Sequence, residues 1–502
     1  MVLELFVKQK NSGFKFRMSS SLKQQTISGM LWSAVQKFGN MGISFVTNIV
    51  LARMLTPDDY GCIGMLAIFI TVSSTFVDGG FGSALIQKKE PTQKDYSTIF
   101  WWNLFISFLL YGVLFMSAPV IGDFYHMPLL SSVLRVQGII LIINSLNIIQ
   151  TNQLRKQLRF KRLANVTIIA HAIAAIAAII LAWKGWGVWS LVAQQIISSV
   201  SISIILWNIN KWTPDICFSK ESFKQLFGFG GFVLLSNLIN TFCDNIQGLL
   251  IGRFFNPFTL GLYTQARKLE DLATSSISSV VNQVAYPVLS HNQSNKNELI
   301  NTLKKFICFI SFIVFPLMFL LILIAEPLII LLYSIKWIDC VPYFRILCIA
   351  GLAISLQMIN YNAIAAIGKS KILFKWTIIK RSIGLFLNIG GILLYGIYGL
   401  LIGGVITAFT LYFINAYLVS IHVGYKIKEQ LRDLFPTISI TLSAFFFTHI
   451  YQRLISFHIY IDFLLICIIY LIFYFVLSKL FNCIIFSSII NVMNQLFNKK
   501  RV

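Results

Sequence analysis

Apolar runs of helix length constrain this chain more than any other feature of its sequence. Hydrophobic residues make up 57% of its 502 residues, and charged residues only 12%. Uninterrupted apolar stretches of about 20 residues recur along the chain, and each is long enough to cross a bilayer as a helix. Because hydrocarbon leaves no backbone polar group a partner outside the segment, we predict an all-α polytopic membrane protein with about 14 transmembrane helices.

The positive charge follows the pattern of an integral membrane protein and not that of a nucleic-acid-binding one. The formal net charge is +23, but the Lys and Arg residues cluster in every second short loop between apolar runs, for example at Lys88–Lys94 and Arg155–Arg162. Cytoplasmic loops carry such an excess of basic residues. We therefore expect a multi-pass protein of the cell inner membrane with both termini in the cytoplasm and no nucleic-acid partner.

An internal repeat indicates that the chain is duplicated. The pattern Arg-x3-Pro-x3-Gly occurs at Arg53–Gly61 and again at Arg253–Gly261, in each case just after an apolar run. Ser145–Asn152 resembles Ser355–Asn362 in the same way. We interpret each Pro-x3-Gly as a tight reversal into the next helix. Duplicated halves are typical of transporters, in which two related lobes rock about a site held between them.

The repeat predicts two six-helix pseudo-symmetric lobes followed by two C-terminal helices. One segment, 259–286, is so polar that hydropathy alone would miss it, yet omitting it would place the later basic loops outside the cell. We therefore predict that it spans the membrane. The predicted segments are a cytoplasmic N-terminal arm 1–27, an N-lobe 28–207, a cytoplasmic connection 208–227 with an amphipathic helix, a C-lobe 228–421, two further helices within 422–482, and a cytoplasmic tail 483–502.

Polar side chains at membrane depth are candidates for a substrate cavity because such groups face protein or water and not lipid. Several recur at helical spacing, as Lys37, Asn40 and Ser44 do. The candidate cavity residues are Lys37, Asn40, Ser44, Asn147, Asn237, Asn240, Asp244, Gln265, Arg267, Lys268, Gln283, Gln357 and Asn360. The alternative is that the amides only join helices and that Arg267 and Lys268 pair with neighbouring acids.

Other charged residues have a more local interpretation. Asp78 precedes two glycines at the end of a predicted helix, where it would cap or pair. Lys380 and Arg381 lie near the end of a predicted helix, and we expect both to extend to the headgroups. The eight cysteines and six histidines show no metal-ligand spacing, so we expect neither a metal nor a cofactor.

Four segments carry a family resemblance: Lys23–Ser33, Val50–Gly61, Asp78–Gln87 and Ala285–Ser290. They resemble the polysaccharide (Wzx-type) lipid-linked oligosaccharide flippases of the multidrug/oligosaccharidyl-lipid/polysaccharide exporter superfamily. The resemblance implies two six-helix lobes in a V shape that flip an undecaprenyl-pyrophosphate-linked repeat unit to the periplasmic leaflet. It also implies that basic residues, here Lys37, Arg267 and Lys268, meet the pyrophosphate.

The expected product is a cell-surface polysaccharide such as O-antigen, capsule or exopolysaccharide. The expected partners are the lipid-linked glycan, the bilayer, and a polysaccharide polymerase with its export machinery. Two alternatives remain: a multidrug or cation antiporter of the same superfamily, for which Asp244 is the central acid, and a membrane glycosyltransferase using Asp58 and Asp59. A polymerase or ligase is disfavoured because no outward loop is long enough.

Overall fold

The computed structural model describes residues 20–454, 459–481 and 486, and within this part it is built of helices. The α-helices are α1 Ser20–Met54, α2 Pro57–Asp78, α3 Phe81–Gln87, α4 Gln93–Phe124, α5 Leu129–Gln137, α6 Ile139–Lys156, α7 Phe160–Trp183, α8 Val188–Asn210, α9 Lys220–Phe254, α10 Pro257–His291, α11 Lys296–Leu323, α12 Ala325–Tyr333, α13 Cys340–Ala366, α14 Ser370–His422, α15 Ile427–Leu454 and α16 Ile459–Leu480. The prediction of an all-α membrane protein is confirmed.

Eleven of the described helical stretches are long and apolar enough to cross a membrane. Two further helices, α1 and α10, are equally long at 35 residues each but more polar. The long helix α14 is interrupted at Tyr395 and Gly396, whose backbone angles are not helical. The polar segment 259–286 is therefore a helix, as predicted, while its spanning of the membrane and the total of fourteen spans stay predictions.

The chain separates into two compact units, one reaching to Thr264 and the other beginning at Gln265. The division falls inside α10 and not in the connection 208–227, so the predicted lobe boundaries stay predictions. The connection also differs locally, because Lys220 begins a helix that continues without a break to Phe254. Residues 1–19 and, apart from 486, the tail 483–502 lie outside the described residues.

In the first unit, α9 packs along α2, α1 packs on α7, and α4 packs on α6. Apolar side chains of α3, α4, α6 and α9 form a core that includes Phe81, Phe100, Ile149 and Leu226. In the second unit, α13 packs on α14 and α11 contacts α13 and α15. The last helix is attached there too, since Tyr474 donates a hydrogen bond to the carbonyl of Phe312 at 2.8 Å.

The two copies of the Pro-x3-Gly pattern meet in the first unit. A Cβ atom on Gly61 would collide with the carbonyl of Pro257, and a Cβ on Gly261 would collide with the carbonyl of Pro57. Each proline begins its helix, and each glycine lies one turn inside it. The expected reversal is therefore wrong: the glycines mark a reciprocal close crossing of α2 and α10, where only a residue without a side chain fits.

Candidate functional site

Two open cavities lie next to each other in the first unit, and both are lined mainly by polar side chains. The first, which we name the α2/α9 cavity, has a volume of about 360 Å³, within the range of about 300–1,000 Å³ that is usual for ligand sites. Its lining residues are Ser74, Thr75 and Asp78 of α2 and Asn237, Asn240, Thr241 and Asp244 of α9. All seven are polar, although both helices are otherwise apolar enough to span a membrane.

The local sequence explains how α9 presents this face. Asn237, Asn240, Thr241 and Asp244 follow the spacing i, i+3, i+4 and i+7, which places them on one side of a helix. The hydroxyls of Thr75 and Thr241 lie 3.2 Å apart and join the two helices at the cavity wall. The polar face is thus formed by helical periodicity in α9 and by the last turn of α2.

A backbone break fixes the position of Asp78. Gly79 and Gly80, which follow it, both have positive φ angles, of 58° and 70°. A Cβ on Gly80 would strike the carbonyl of Gly230 in α9, so glycine is required both by conformation and by space. The predicted role of Asp78 as a local cap is incomplete, because its side chain also lines the cavity.

The second cavity, which we name the α2/α6 cavity, has a volume of about 190 Å³ and shares Asp78 with the first. Its other lining residues are Asn144, Asn147, Ile148, Thr151, Asn152 and Arg155 of α6 and Ile202 of α8. Asn147 is 7% exposed, and its Oδ1 atom has no hydrogen-bond partner among the described residues. Buried amide oxygens normally accept a hydrogen bond, so the Oδ1 atom of Asn147 can accept one from a donor group of a ligand.

Four of the predicted site residues line the two cavities. Asn237, Asn240 and Asp244 line one cavity, and Asn147 lines the neighbouring one. On α1, Lys37 and Ser44 are exposed. Asn40 donates instead to the hydroxyl of Thr167 on α7 at 3.2 Å, so its amide joins two helices.

On α10 the predicted residues divide according to their surroundings. Arg267 forms ion pairs with Asp271 at 3.3 Å and with Glu270 at 3.8 Å, which is the local pairing considered as the alternative. Lys268 is exposed, whereas Gln265 is fully buried. The helix includes Gln283, but its side chain lies outside the described residues.

In the second unit, Gln357 and Asn360 belong to a buried network of amides. Asn360 donates to Gln430 at 3.1 Å, and the backbone carbonyl of Gln357 accepts from Asn415 at 3.1 Å. Lys380 donates to Asn415 at 2.7 Å and is only 6% exposed. The expectation that Lys380 extends to the headgroups is therefore wrong, because its ammonium is held inside the unit.

Sequence reasoning missed one half of the α2/α9 cavity. Ser74 and Thr75 give no sequence signal, because isolated hydroxyls in an apolar helix usually bond to their own backbone, as Thr75 does to the carbonyl of Thr71 at 2.8 Å. Arg155 was assigned to a basic loop, although it lines the α2/α6 cavity and its side chain is exposed there. In the sequence, the helical spacing of Asn144, Asn147 and Thr151 is the signal that indicates this wall.

The lining groups suit a ligand rich in hydroxyls. Amides and carboxylates accept hydrogen bonds from hydroxyl groups, and amide N–H and side-chain hydroxyls return them. Arg155 adds a planar set of donors that matches phosphate oxygens. Together the two cavities can bind a polyol near α9 and an anion near the end of α6.

Comparison with known proteins gives a consistent result. Residues 50–342 match the family described as "Polysaccharide biosynthesis protein". The teichuronic acid biosynthesis protein TuaB of Bacillus subtilis (strain 168) is 28% identical over 379 residues, covering 75% of this chain and 76% of that protein. The lipopolysaccharide biosynthesis protein WzxC of Escherichia coli (strain K12) is 22% identical over 363 residues, covering 72% and 74%.

Two solved structures resemble this fold. The lipid II flippase MurJ in an inward closed conformation has a TM-score of 0.73 at 15% identity, and the match covers 90% of this chain and 98% of the MurJ chain. An inward-facing multidrug resistance MATE family transporter has a TM-score of 0.61 at 16% identity and covers 79% and 98%. At these identities the likeness concerns the fold alone.

Proposed function

Because the chain belongs to the polysaccharide biosynthesis protein family, we propose that it flips undecaprenyl-pyrophosphate-linked oligosaccharide repeat units across the inner membrane. The product would be a cell-surface polysaccharide such as O-antigen, capsule or exopolysaccharide. The observation that supports this most directly is the α2/α9 cavity, whose lining of amides, hydroxyls and carboxylates lies between two apolar helices. Such a lining is costly at membrane depth unless it meets water or a polar ligand.

The proposed path of the substrate follows from the proposed orientation. With both termini in the cytoplasm, Asp78 lies at the cytoplasmic end of α2, and Arg155 lies at the cytoplasmic end of α6. The glycan would then enter the α2/α9 cavity from the cytoplasmic leaflet, while the lipid tail stays in the bilayer. The orientation is tested by reporter fusions, which should place Asn256 on the periplasmic side and Asn292 on the cytoplasmic side of the membrane.

The diphosphate needs cations, and the exposed basic side chains are the ones we propose for it. Lys37 and Lys268 are exposed, and Arg155 lines the α2/α6 cavity. Arg267 is the weakest member of the predicted set, because its guanidinium already pairs with Asp271. A phosphate would have to compete with that carboxylate for the same donors.

The experiment is a flipping assay on purified protein in proteoliposomes. A fluorescent undecaprenyl-pyrophosphate-linked oligosaccharide is placed in one leaflet, and a membrane-impermeant quencher reports its transfer to the other. We expect transfer by the wild type, and its loss in Lys37→Ala and in the joint Asn237→Ala/Asn240→Ala variant. Lys184→Ala, which changes an exposed loop lysine between α7 and α8, is the matched control and should transfer normally.

Failure of the wild type to move the lipid, in protein that reconstitutes as a folded monodisperse species, would contradict the proposal. Normal transfer by Lys37→Ala and by Lys268→Ala would remove both lysines from the diphosphate site. Normal transfer by the Asn237→Ala/Asn240→Ala variant would remove the α2/α9 cavity from the glycan path.

A second candidate function, cation or multidrug antiport, is favoured by one observation. The α2/α9 cavity contains two carboxylates, Asp78 and Asp244, and no basic residue among those that line it. Such a lining also suits a cationic drug. In the same proteoliposomes, efflux of a cationic dye driven by a sodium or proton gradient, without lipid transfer, would favour this function.

The glycosyltransferase alternative loses its main support. Asp59 serves the first turn of α2, where it accepts hydrogen bonds from the backbone N–H and the hydroxyl of Thr56 at 2.9 and 2.8 Å. Thr56 caps the helix in return, so the acid has a structural role there. The family and the transporter fold agree with a protein that moves its substrate and does not transform it.

A further inference from the structure

The α2/α6 cavity contains a buried acceptor that the described part of the protein leaves without a donor. Asn147 lines this cavity and is 7% exposed, and its Oδ1 atom has no hydrogen-bond partner among the described residues. Buried polar atoms are nearly always hydrogen-bonded, and one without a partner destabilises the protein. The place of this side chain in a cavity wall therefore indicates a donor that comes from a bound ligand.

The residues of this wall follow one side of α6. From Asn144 to Arg155 they have the spacing i, i+3, i+4, i+7, i+8 and i+11, which is the spacing of a single helix face. Arg155 lies just over two turns after Asn147, about 12 Å further along the helix axis. A diphosphate bound by Arg155 therefore leaves the sugar bonded to it, and not the later sugars, beside Asn147.

Apolar side chains share the wall with the polar ones. Ile148 of α6 and Ile202 of α8 both line the cavity and are partly exposed. Sugar hydroxyls gain nothing from such surface, whereas a methyl group is stabilised by it. Thr151 and Asn152 line the same cavity, and their hydroxyl and amide groups can donate hydrogen bonds. The cavity thus offers an acceptor, donors and an apolar surface together.

This combination matches an acetamido group better than a hydroxyl. An acetamido substituent has an N–H that donates, a carbonyl that accepts and a methyl group that is apolar. A hydroxyl in its place can donate to Asn147 but leaves the isoleucine surface without a partner. The volume of about 190 Å³ is below the usual range of about 300–1,000 Å³ for ligand sites, so the cavity suits one sugar and not a whole repeat unit.

We propose that the α2/α6 cavity is a subsite for an acetamido sugar, the first sugar of the lipid-linked repeat unit. Its N–H donates to Oδ1 of Asn147, and its methyl group packs on Ile148 and Ile202. This rests on the proposed function, because it presumes that a lipid-linked glycan is the substrate. The rest of the glycan continues past Asp78, which lines both cavities, into the α2/α9 cavity.

The test is a binding measurement on the full chain in nanodiscs with three probe lipids. Two are undecaprenyl-pyrophosphate-linked monosaccharides, N-acetylglucosamine and glucose, and the third is undecaprenyl pyrophosphate without sugar. The two sugar lipids carry the same charge and differ only at C2, so Asp78 and Arg155 act equally on both. We expect the wild type to bind the acetamido lipid at least about tenfold more tightly than the glucose lipid, a difference of about 1.4 kcal/mol.

Variants of the two kinds of wall assign the effect to this cavity. In Asn147→Leu, which removes the acceptor at similar size, and in Ile202→Ala, which removes apolar surface, the preference should fall to about threefold or less. The change should come from weaker binding of the acetamido lipid, while binding of the sugarless lipid stays unchanged. Asn208→Leu and Ile204→Ala make the same changes at exposed positions of α8 and should keep the full preference.

The outcomes separate this inference from the proposed function. If no probe lipid binds to the folded wild type, the proposed function fails and the subsite fails with it. If all three bind but the wild type does not distinguish the two sugars, the subsite is overturned while the flippase proposal stands. That comparison needs no variant, so it holds even if an altered protein fails to fold. A full preference in both folded Asn147→Leu and Ile202→Ala would also overturn the subsite, because the acetamido group would then be recognised elsewhere.

Discussion

The helices α2 and α10 begin as two copies of one sequence and then diverge. Both start with proline, carry glycine one turn later and cross each other at those glycines. At an offset of 200 positions, Ala67, Ile68, Ile70 and Thr71 in α2 correspond to Arg267, Lys268, Glu270 and Asp271 in α10. Both copies keep glycine at the crossing, because a side chain there would collide with the other helix. The later turns differ in charge, since the four positions are uncharged in α2 and charged in α10.

The difference teaches which features the packing requires and which it does not. A helix that is apolar in one copy needs no charge to occupy its place in the fold, so the four charges of α10 are not explained by the duplication. Glu270 is fully buried and reaches Arg267 only at 3.8 Å. Burying such a carboxylate destabilises the fold, so packing alone does not account for the charges on α10.

The largest effect is expected at the shared crossing. Gly61→Ala and Gly261→Ala each place a methyl group against a backbone carbonyl of the other helix, and neither backbone can move aside easily. We expect each to lower the free energy of unfolding by about 3 kcal/mol or more. Thermal unfolding of the detergent-solubilised protein, and its yield in the membrane, measure this.

Two glycines with open surroundings provide the control for that experiment. A Cβ on Gly42 or on Gly112 meets nothing within 4 Å, so alanine there should leave stability unchanged or raise it by about 0.5–1 kcal/mol. Because Gly61 and Gly261 lie at one contact, the double variant should cost less than the sum of the single ones. Wild-type stability of both single variants would show that α2 and α10 do not cross at these residues.

A medium effect is expected when the charges of α10 are replaced by their α2 counterparts. Arg267→Ala leaves the buried Glu270 without its cation and should cost about 2 kcal/mol, less than for a fully buried pair because Arg267 is 37% exposed. Glu270→Ile in the same background should recover most of that loss. Thermal unfolding of the wild type, the two single variants and the double variant gives the coupling free energy between Arg267 and Glu270.

If Glu270→Ile alone destabilises the protein more than Arg267→Ala does, the carboxylate makes a stabilising contact and is not merely tolerated. If Glu270→Ile is stable but no longer flips the lipid in the proteoliposome assay, the charge is kept for transport.

How far the sequence predicts this molecule can be judged from particular residues. The helices and the polar face Asn237, Asn240 and Asp244 were predicted because a period of 3.6 residues shows which side chains share a side. The period does not show what faces them. The partner wall is the last turn of α2, and Asp78 had been assigned a local role because glycines follow it.

The other errors have the same physical origin, since they concern contacts between distant segments. Lys380 looked like a headgroup-seeking lysine because its acceptor, Asn415, lies 35 residues away on the returning part of α14. Gly61 looked like part of a turn because its neighbour Pro257 lies almost 200 residues later. Local patterns carry no information about such neighbours, whereas the local pairing of Arg267 with Asp271 was foreseeable from their spacing of four.

The smallest effect is expected at the first turns of the two helices, which are capped by different residues. In α2, Thr56 and Asp59 form a reciprocal capping box. In α10, Asn256 accepts from the backbone N–H of Thr259 at 2.8 Å. Thr56→Ala and Asn256→Ala should each cost about 1 kcal/mol, while Thr56→Ser and Asn256→Ser keep an acceptor and should cost little.

The second residue of each cap distinguishes the two copies. Asp59→Ala removes the bond that returns to the Thr56 backbone and should cost about 0.5–1 kcal/mol. Thr259→Ala keeps its backbone N–H, which is the group that Asn256 binds, and should be nearly neutral. Equal costs at Asp59 and Thr259 in thermal unfolding would contradict this asymmetry. The predicted pattern would mean that the duplication kept the capping of the helix start while changing the residues that perform it.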